Sequence, residues 1–260
     1  MPSTASGQIE EVKNKREFWE IVGLLLADGT VRINKKHRHF EVIFAGKEEK
    51  LIQIFEDNMK RIFGDLHFTE RVDRKQVKII RVCNKTVVEI LQSFIPDWKR
   101  KENNNLRLPP IESISSDNLI SFIRSFFSAE GSVILGCKWH KTKKLWIVNK
   151  RIQVTVKNES LKIFVKKILE KLGFKPSIWK NEVVLTKKED ILKFAKEIRF
   201  LDGVRISKKS RTWFGVEKNK ILDVVANLCN EGKNSFHTFG EWKNFVNFTS
   251  SRLWVQVSTG

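Results

Sequence analysis

Phe18–Gly29 reads FWEIVGLLLADG, and Ile120–Gly131 reads ISFIRSFFSAEG. Both are apolar, helix-like segments that end in an acid followed by glycine. Asp28 and Glu130 lie 102 residues apart, and the same offset aligns Gly23 with Ser125, Ala27 with Ala129 and Gly29 with Gly131. Phe18, Ile21, Val22, Leu25 and Leu26 follow the spacing of one helix face. Asn14 and Glu17 read as a capping box, and Gly29 as the C-terminal cap. In the second copy Ser116 is the expected N-cap, and Phe122, Ile123, Phe126 and Phe127 form the stripe. Small residues four apart, at 23 and 27 and at 125 and 129, let two helices approach closely. An ordinary core helix accounts for each stripe. It does not account for an acid-glycine pair at the same place twice.

The duplication continues downstream. Val31–Asn34 with Phe40–Ala45 predicts a hairpin, and Val133–Cys137 with Leu145–Val156 predicts its counterpart. Each runs into Lys-x-x-x-Leu and a helix, Lys47–Phe63 and Lys157–Leu172. The lysines are 110 residues apart, so the second hairpin should be eight residues longer. The extra length is expected in Lys138–Leu145 (KWHKTKKL), a projecting basic tip. A further hairpin follows in each half, Leu66–Arg71 with Val77–Cys83, then Ser177–Lys180 with Val183–Thr186. Closing helices are expected at Thr86–Phe94 and Glu189–Ile198. The Asn run and paired prolines of Lys101–Ile114 suit a linker.

The expected fold is therefore α+β, with two pseudo-symmetric αββαββα halves and a mostly helical C-terminal extension. The halves are 1–104 and 105–204. Residues 205–260 either pack on the second half or form a small DNA-binding module.

Charge points to the partner. The 260 residues include 49 Lys and Arg against 30 Asp and Glu, for +19 at neutral pH. An excess of that size implies a polyanion, nucleic acid before membrane. Phe18–Ala27 is too short to span a bilayer. The N-terminal residues lack the pattern of a secretory signal. Three scattered cysteines suit neither a disulfide framework nor zinc. An intracellular protein that is not secreted is expected. Two identically presented acids in so basic a chain suggest a two-fold metal site acting on nucleic acid.

Ile21–Gly29 (IVGLLLADG) and, more loosely, Ile123–Gly131 (IRSFFSAEG) resemble the nine-residue motif of the LAGLIDADG homing endonucleases in their single-chain, two-repeat form. The resemblance covers about residues 14 to 204. It implies motif helices side by side between the halves, acids at the bottom of a saddle, and two four-stranded antiparallel sheets along the DNA major groove. It implies a monomeric, site-specific endonuclease that hydrolyses both strands of a long asymmetric target and leaves 3′ overhangs. It also implies two or three Mg²⁺ ions shared between half-sites, with Mn²⁺ able to substitute and Ca²⁺ supporting binding without cleavage. Two alternatives keep the scaffold: an RNA maturase that assists splicing of its host intron, and a non-cleaving DNA-binding regulator.

The resemblance assigns Asp28 and Glu130 as metal ligands, with the carbonyls of Ala27 and Ala129. Lys47 and Lys157 match basic positions near the scissile phosphates, where a cation stabilises developing charge. Gly46 and Val156 replace the polar residue that precedes this lysine in some relatives. Leu26 and Ser128 replace the motif's first acid, which is not a metal ligand. Strand alternation puts Arg32, Asn34 and Lys36 on the groove side. Arg38, Arg71, Arg74, Gln76, Lys78, Lys138, His140, Lys180 and Asn181 are further candidates for base or phosphate contacts. His37 and His39 share a strand face but are two metal ligands without a third.

Overall fold

A computed structural model describes residues 11–34, 36, 39–96, 98, 106–207, 210 and 212–255, the last six as backbone only. The first repeat runs α1 (Arg16–Asp28), β1 (Gly29–Asn34), β2 (His39–Gly46), α2 (Glu49–Phe63), β3 (Phe68–Val72), β4 (Lys78–Cys83) and α3 (Lys85–Phe94). The second runs α4 (Ser116–Glu130), β5 (Gly131–His140), β6 (Leu145–Thr155), α5 (Glu159–Lys171), β7 (Ser177–Trp179), β8 (Glu182–Leu185) and α6 (Lys188–Lys193). The extension adds α7 (Lys218–Asn230), the short β9 (Ser235–Phe236) and α8 (Phe239–Val255). The order αββαββα thus occurs twice. One antiparallel sheet is ordered β1-β2-β4-β3, the other β5-β6-β8-β7, with β9 added against β6. No helix among the described residues is long and apolar enough to cross a membrane.

By packing, the chain falls into two compact units. One holds Met1–Gly131 and Val154–Val183; the other holds Ser132–Gln153 and Val184–Gly260. In the first unit, alternation places Val31, Val42, Phe44, Ile80 and Val82 on the covered face of the first sheet, each at most 1% exposed. Phe44 stacks on Phe55 of α2 at 4.8 Å between ring centroids. Helix α1 is buried on more than one face: every residue from Ile21 to Ala27 is buried, beyond the single stripe its sequence shows. Seven consecutive buried positions cannot lie on one side of a helix, so α1 packs on several sides.

In the second unit the extension is built into the long hairpin. Trp146 and Ile147 of β6 pair with Phe236 and Ser235 of β9. Trp213 Nε1 donates to the Leu135 carbonyl at 3.1 Å. Lys150 Nζ reaches the Lys233 carbonyl and Asn234 Oδ1, both at 2.8 Å. After α6 the chain widens into a π-helical turn, Phe194–Ile198. Arg199 follows at φ +58° and ψ 179°, a region that L side chains rarely enter. A bidentate pair to Asp223 of α7, at 2.9 and 3.0 Å, holds it there.

Several expected details differ. Lys15, not Asn14, is the N-cap of α1, and it makes no side-chain cap bond. Ser115, one residue before the expected cap, accepts from the Asn118 N–H and starts α4. The longer second hairpin does not gain its length at the tip. β5 has 10 residues against 6 in β1, and β6 has 11 against 8 in β2. The ladder itself is extended. The Asn run of the expected linker lies outside the described residues.

Candidate active site

Gly23 sets how closely the motif helices approach. A Cβ there would fall 2.1 Å from Ser125 Oγ and 2.8 Å from the Phe122 carbonyl oxygen. Neither distance is tolerable, and the Phe122 oxygen is backbone, so only glycine fits. At the other end, Asn118 Nδ2 donates to the Lys13 carbonyl at 3.3 Å. With both contacts made at nearly one sequence offset, α1 and α4 run parallel and in register. Asp28 and Glu130 each lie five residues beyond the Gly23–Ser125 contact, about 7.5 Å along each axis. Both acids are exposed and leave their helices at the same end.

The glycines after the acids are required for space. Gly29 is the C-cap of α1, as expected, and Gly131 that of α4; both are extended, with φ of −116° and −86°, rather than left-handed. A Cβ on Gly29 would meet Leu25 Cα at 2.8 Å, and one on Gly131 would meet the Phe127 carbonyl oxygen at 2.6 Å. The chain turns from helix into strand directly over the last helical turn, which leaves no room for a side chain.

This placement is electrostatically costly. A helix C-terminus carries the negative end of the dipole, so an acid there loses about 0.3–1 kcal/mol. Neither helix has a basic residue in its own last turn. Two carboxylates, with the Ala27 and Ala129 carbonyls of the same last turns, are hard oxygen donors of the kind Mg²⁺ selects while it keeps several waters. Among the described residues no cluster of three or more His, Cys, Asp or Glu side chains offers a competing metal site. The motif positions of Leu26 and Ser128 are buried, 1% exposed each, where a charged acid would be desolvated.

Lys47 follows β2 and Lys157 follows β6, both exposed ahead of α2 and α5. The leucines of their shared pattern, Leu51 and Leu161, are core residues. A side chain at Gly46 would enter open space. Val156 is buried, its N–H bonded to the Asn181 carbonyl at 2.7 Å.

The uncovered face of the first sheet follows from register. Thr30 pairs with Ile43, Arg32 with Glu41 and Asn34 with His39, and Thr69 pairs with Arg81 and Arg71 with Ile79. Arg32, Asn34 and Arg71 therefore share one face, and Lys36 is exposed in the adjoining turn. Lys78 does not join them. It alternates with buried Ile80 and Val82 and pairs with Glu70 at 2.8 Å. The β4 basic residue on the open face is Arg81, 3.3 Å from Glu41. The sequence reading missed it, although alternation from Val82 would have found it. On β6, the same alternation puts Arg151 and Gln153 opposite buried Ile152 and Val154, with Arg151 Nε 2.5 Å from Gln153 Oε1. Arg38 and His37 lie outside the described residues. His39 Nδ1 is 3.9 Å from Glu41.

Arg74 and Gln76 occupy the β3–β4 turn, and Lys180 and Asn181 the β7–β8 turn. Gln76, Lys144 and Lys180 hold positive φ of 59°, 53° and 53° at three hairpin tips. Glycine would adopt that conformation with less strain. Asp73 secures the first turn, its Oδ1 accepting from the Lys75 and Val77 N–H groups at 2.7 and 2.9 Å. The Val77 bond, with the Lys75 bond and the Lys47 and Lys75 charges, holds its carboxyl below the usual range. Lys162 secures the second: its nearly buried Nζ donates to the Lys180 carbonyl at 2.9 Å and pairs with Glu159 at 2.6 Å. Lys138 and His140 are exposed at the end of β5, and His140 Nδ1 accepts from the Lys143 N–H at 3.2 Å.

Residues 117–199 match the LAGLIDADG-like domain. Over 117 residues, 45% of the chain, the sequence is 26% identical to the replication factor C small subunit of Methanocaldococcus jannaschii, and the match spans 6% of that protein. Among solved structures, full-length DUF199/WhiA from Thermatoga maritima superposes with a TM-score of 0.51 at 16% identity, covering 96% of this chain and 74% of that one. I-DmoI in complex with DNA and Ca superposes with a TM-score of 0.47 at 20% identity, covering 75% of this chain and 91% of that one.

Proposed function

We propose that the whole chain is a two-repeat, metal-dependent endonuclease for double-stranded DNA, a reading supported by the match of residues 117–199 to the LAGLIDADG-like domain. One observation carries the reading. Two motif helices, locked in register through Gly23, deliver two exposed acids to one end. The surrounding charge suits a DNA substrate, and the alternative of two accidental helix-ending turns leaves the recurrence of an acid at the same place in both repeats unexplained.

In this reading Asp28 and Glu130, with the Ala27 and Ala129 carbonyls, hold Mg²⁺. When bound, the metal supplies charge neutralisation on the phosphate and activation of water. The chain's own residues do the rest. Lys47 and Lys157 present cations to the phosphates being cut. Arg32, Asn34, Arg71 and Arg81 lie along the first sheet's open face to read base edges, where Arg and Asn form paired hydrogen bonds. Lys36, Lys138, His140, Lys180 and the tip residues Arg74, Gln76 and Asn181 are further candidates for phosphate or base contacts.

The test is incubation with a randomised duplex library in Mg²⁺, with sequencing of the cut ends. Wild-type protein should yield one preferred site with 3′ overhangs. Asp28→Asn and Glu130→Gln should each abolish double-strand cutting while keeping affinity for that site in Ca²⁺. Full cutting by either variant sinks the assignment. A non-cleaving binder on this scaffold would enrich a sequence without cutting it, whatever residue stands at 28 or 130.

A further inference from the structure

The long hairpin has a second functional face. Alternation along β5 puts Val133 and Leu135 on its inner side, and Trp139 continues that row beyond the buried part. Lys138 and His140 point the other way. Trp139 lies directly across from Trp146, their rings 5.6 Å apart, and Trp146 packs on Phe239 of α8 at 4.5 Å. The three rings form a ladder whose two ends stay open, with Trp139 39% and Phe239 40% exposed. Burying such surface in a partner is strongly favourable, and leaving it in water is not.

The charge around this ladder is mainly positive. Gly131–Thr155 contains no acidic residue, and the tip beyond the tryptophans holds Lys141, Lys143 and Lys144, all exposed. At the other end Lys243 Nζ stands 5.0 Å from the centre of the Phe239 ring. The nearby Glu241 is engaged within its own helix start, accepting from the His237 N–H at 3.0 Å. Open aromatic faces bordered by cations match the two components of a nucleic-acid strand, bases that stack and phosphates that carry charge. A duplex keeps its bases stacked on one another, so only an unpaired strand offers them to such faces.

We propose that the Trp139–Trp146–Phe239 ladder and the Lys141–Lys144 tip bind single-stranded nucleic acid, on the hairpin face opposite Lys138 and His140. This site is independent of cleavage. The source, DNA or RNA, follows from the test rather than from the ladder, because both share the stacking bases and the phosphate chain.

The experiment titrates the full-length protein, in EDTA, into labelled oligomers of about 15 deoxythymidines, of about 15 uridines, and a random duplex, read by fluorescence anisotropy. Trp139→Ala should weaken binding to at least one single strand by about fivefold or more, with less than a twofold change on duplex. Trp139→Phe should recover most of the loss. Replacing Lys141, Lys143 and Lys144 by Gln should lower the slope of log affinity against log salt by about two. Loss on the uridine strand alone identifies RNA, and loss on the thymidine strand alone identifies DNA. Single-strand affinity within twofold of wild type in Trp139→Ala overturns the proposal. So does equal loss on strand and duplex, or a Phe variant as weak as the Ala variant. Asp28→Asn should leave the single-strand affinities unchanged, so failure of the ladder and failure of the cleavage reading are distinguishable.

Discussion

The β1–β2 and β5–β6 hairpins begin from the same acid-glycine junction and end in the same lysine, yet they are stabilised differently. The first has strands of 6 and 8 residues and a covered face of Val31, Val42 and Phe44. The second has strands of 10 and 11 residues, and its outer part has no counterpart of that core. Cover comes instead from the extension, through β9, Trp213 and the contacts of Lys150. The two inner turns differ in the same way. One is tied by a carboxylate accepting local N–H bonds, the other by a lysine reaching across from α5. Duplication preserved the positions of the acids and the strand order, while the supports around them diverged.

The largest effect expected is the one that should be equal in both halves. In the proposed reading, removing either acid deletes a ligand of the metal and with it part of the several kcal/mol that a metal contributes to the transition state, so double-strand cutting should fall by about a hundredfold or more. A variant at 28 that cuts neither strand, beside a variant at 130 that still cuts both, would show that the repeat is functionally one-sided. Next comes Gly23→Ala. Its Cβ forces α1 and α4 apart, at about 1–3 kcal/mol. A drop in melting temperature of roughly 2–10 °C is expected. Ser125→Gly, on the partner helix, should cost less, because it removes contacts without a clash.

That asymmetry bears on how much could be read from sequence. The motif helices and the hairpins follow from periodicity and from the repeat, because burial of one strand face or helix stripe imposes a pattern on local residues; the two four-stranded sheets came from the resemblance, and their strand order from the structure. Lys78 was misjudged because charge was read without alternation, which puts it in one row with Ile80 and Val82 on the covered face. The N-caps shifted by one residue because cap choice depends on where the chain arrives, and both Ser115 and Ser116 satisfy the chemistry. The pairing of Phe236 with Trp146 and the bond from Trp213 to Leu135 had no local signature, since each joins residues 78 or more apart. The acids were legible only as a pair, and their shared end rests on Gly23, whose role is visible only against Ser125 and Phe122.

A smaller effect tests the separate support of the second hairpin. Lys150→Met removes a donor that satisfies the Lys233 carbonyl and Asn234 Oδ1, so about 1–3 kcal/mol is expected. Amide exchange should quicken in β6 and β9 and stay unchanged in β1 and β2. Uniform quickening would mean that the two hairpins are not independently supported. The smallest effect is a difference in acid response. Asp73 has a lowered pKa when folded, so its contribution is present above its unfolded pKa and is lost as pH falls through the folded value. The Lys75 and Val77 amides should therefore gain mobility on acidification below the ordinary aspartate range, and Asp73→Asn should flatten that response. The second turn, tied to α5 by the Lys162 ammonium, should respond less.

The β9–β6 pairing also has a consequence for biosynthesis. Phe236 follows Trp146 by 90 residues, so at roughly 5–20 residues per second the ribosome leaves the outer hairpin without its cover for on the order of 5–20 s. For that interval an acid-free, aromatic β-ribbon faces the nascent chain's surroundings. Its lysines then act as gatekeepers, keeping emerging copies apart by mutual repulsion until the tail is translated and closes over them.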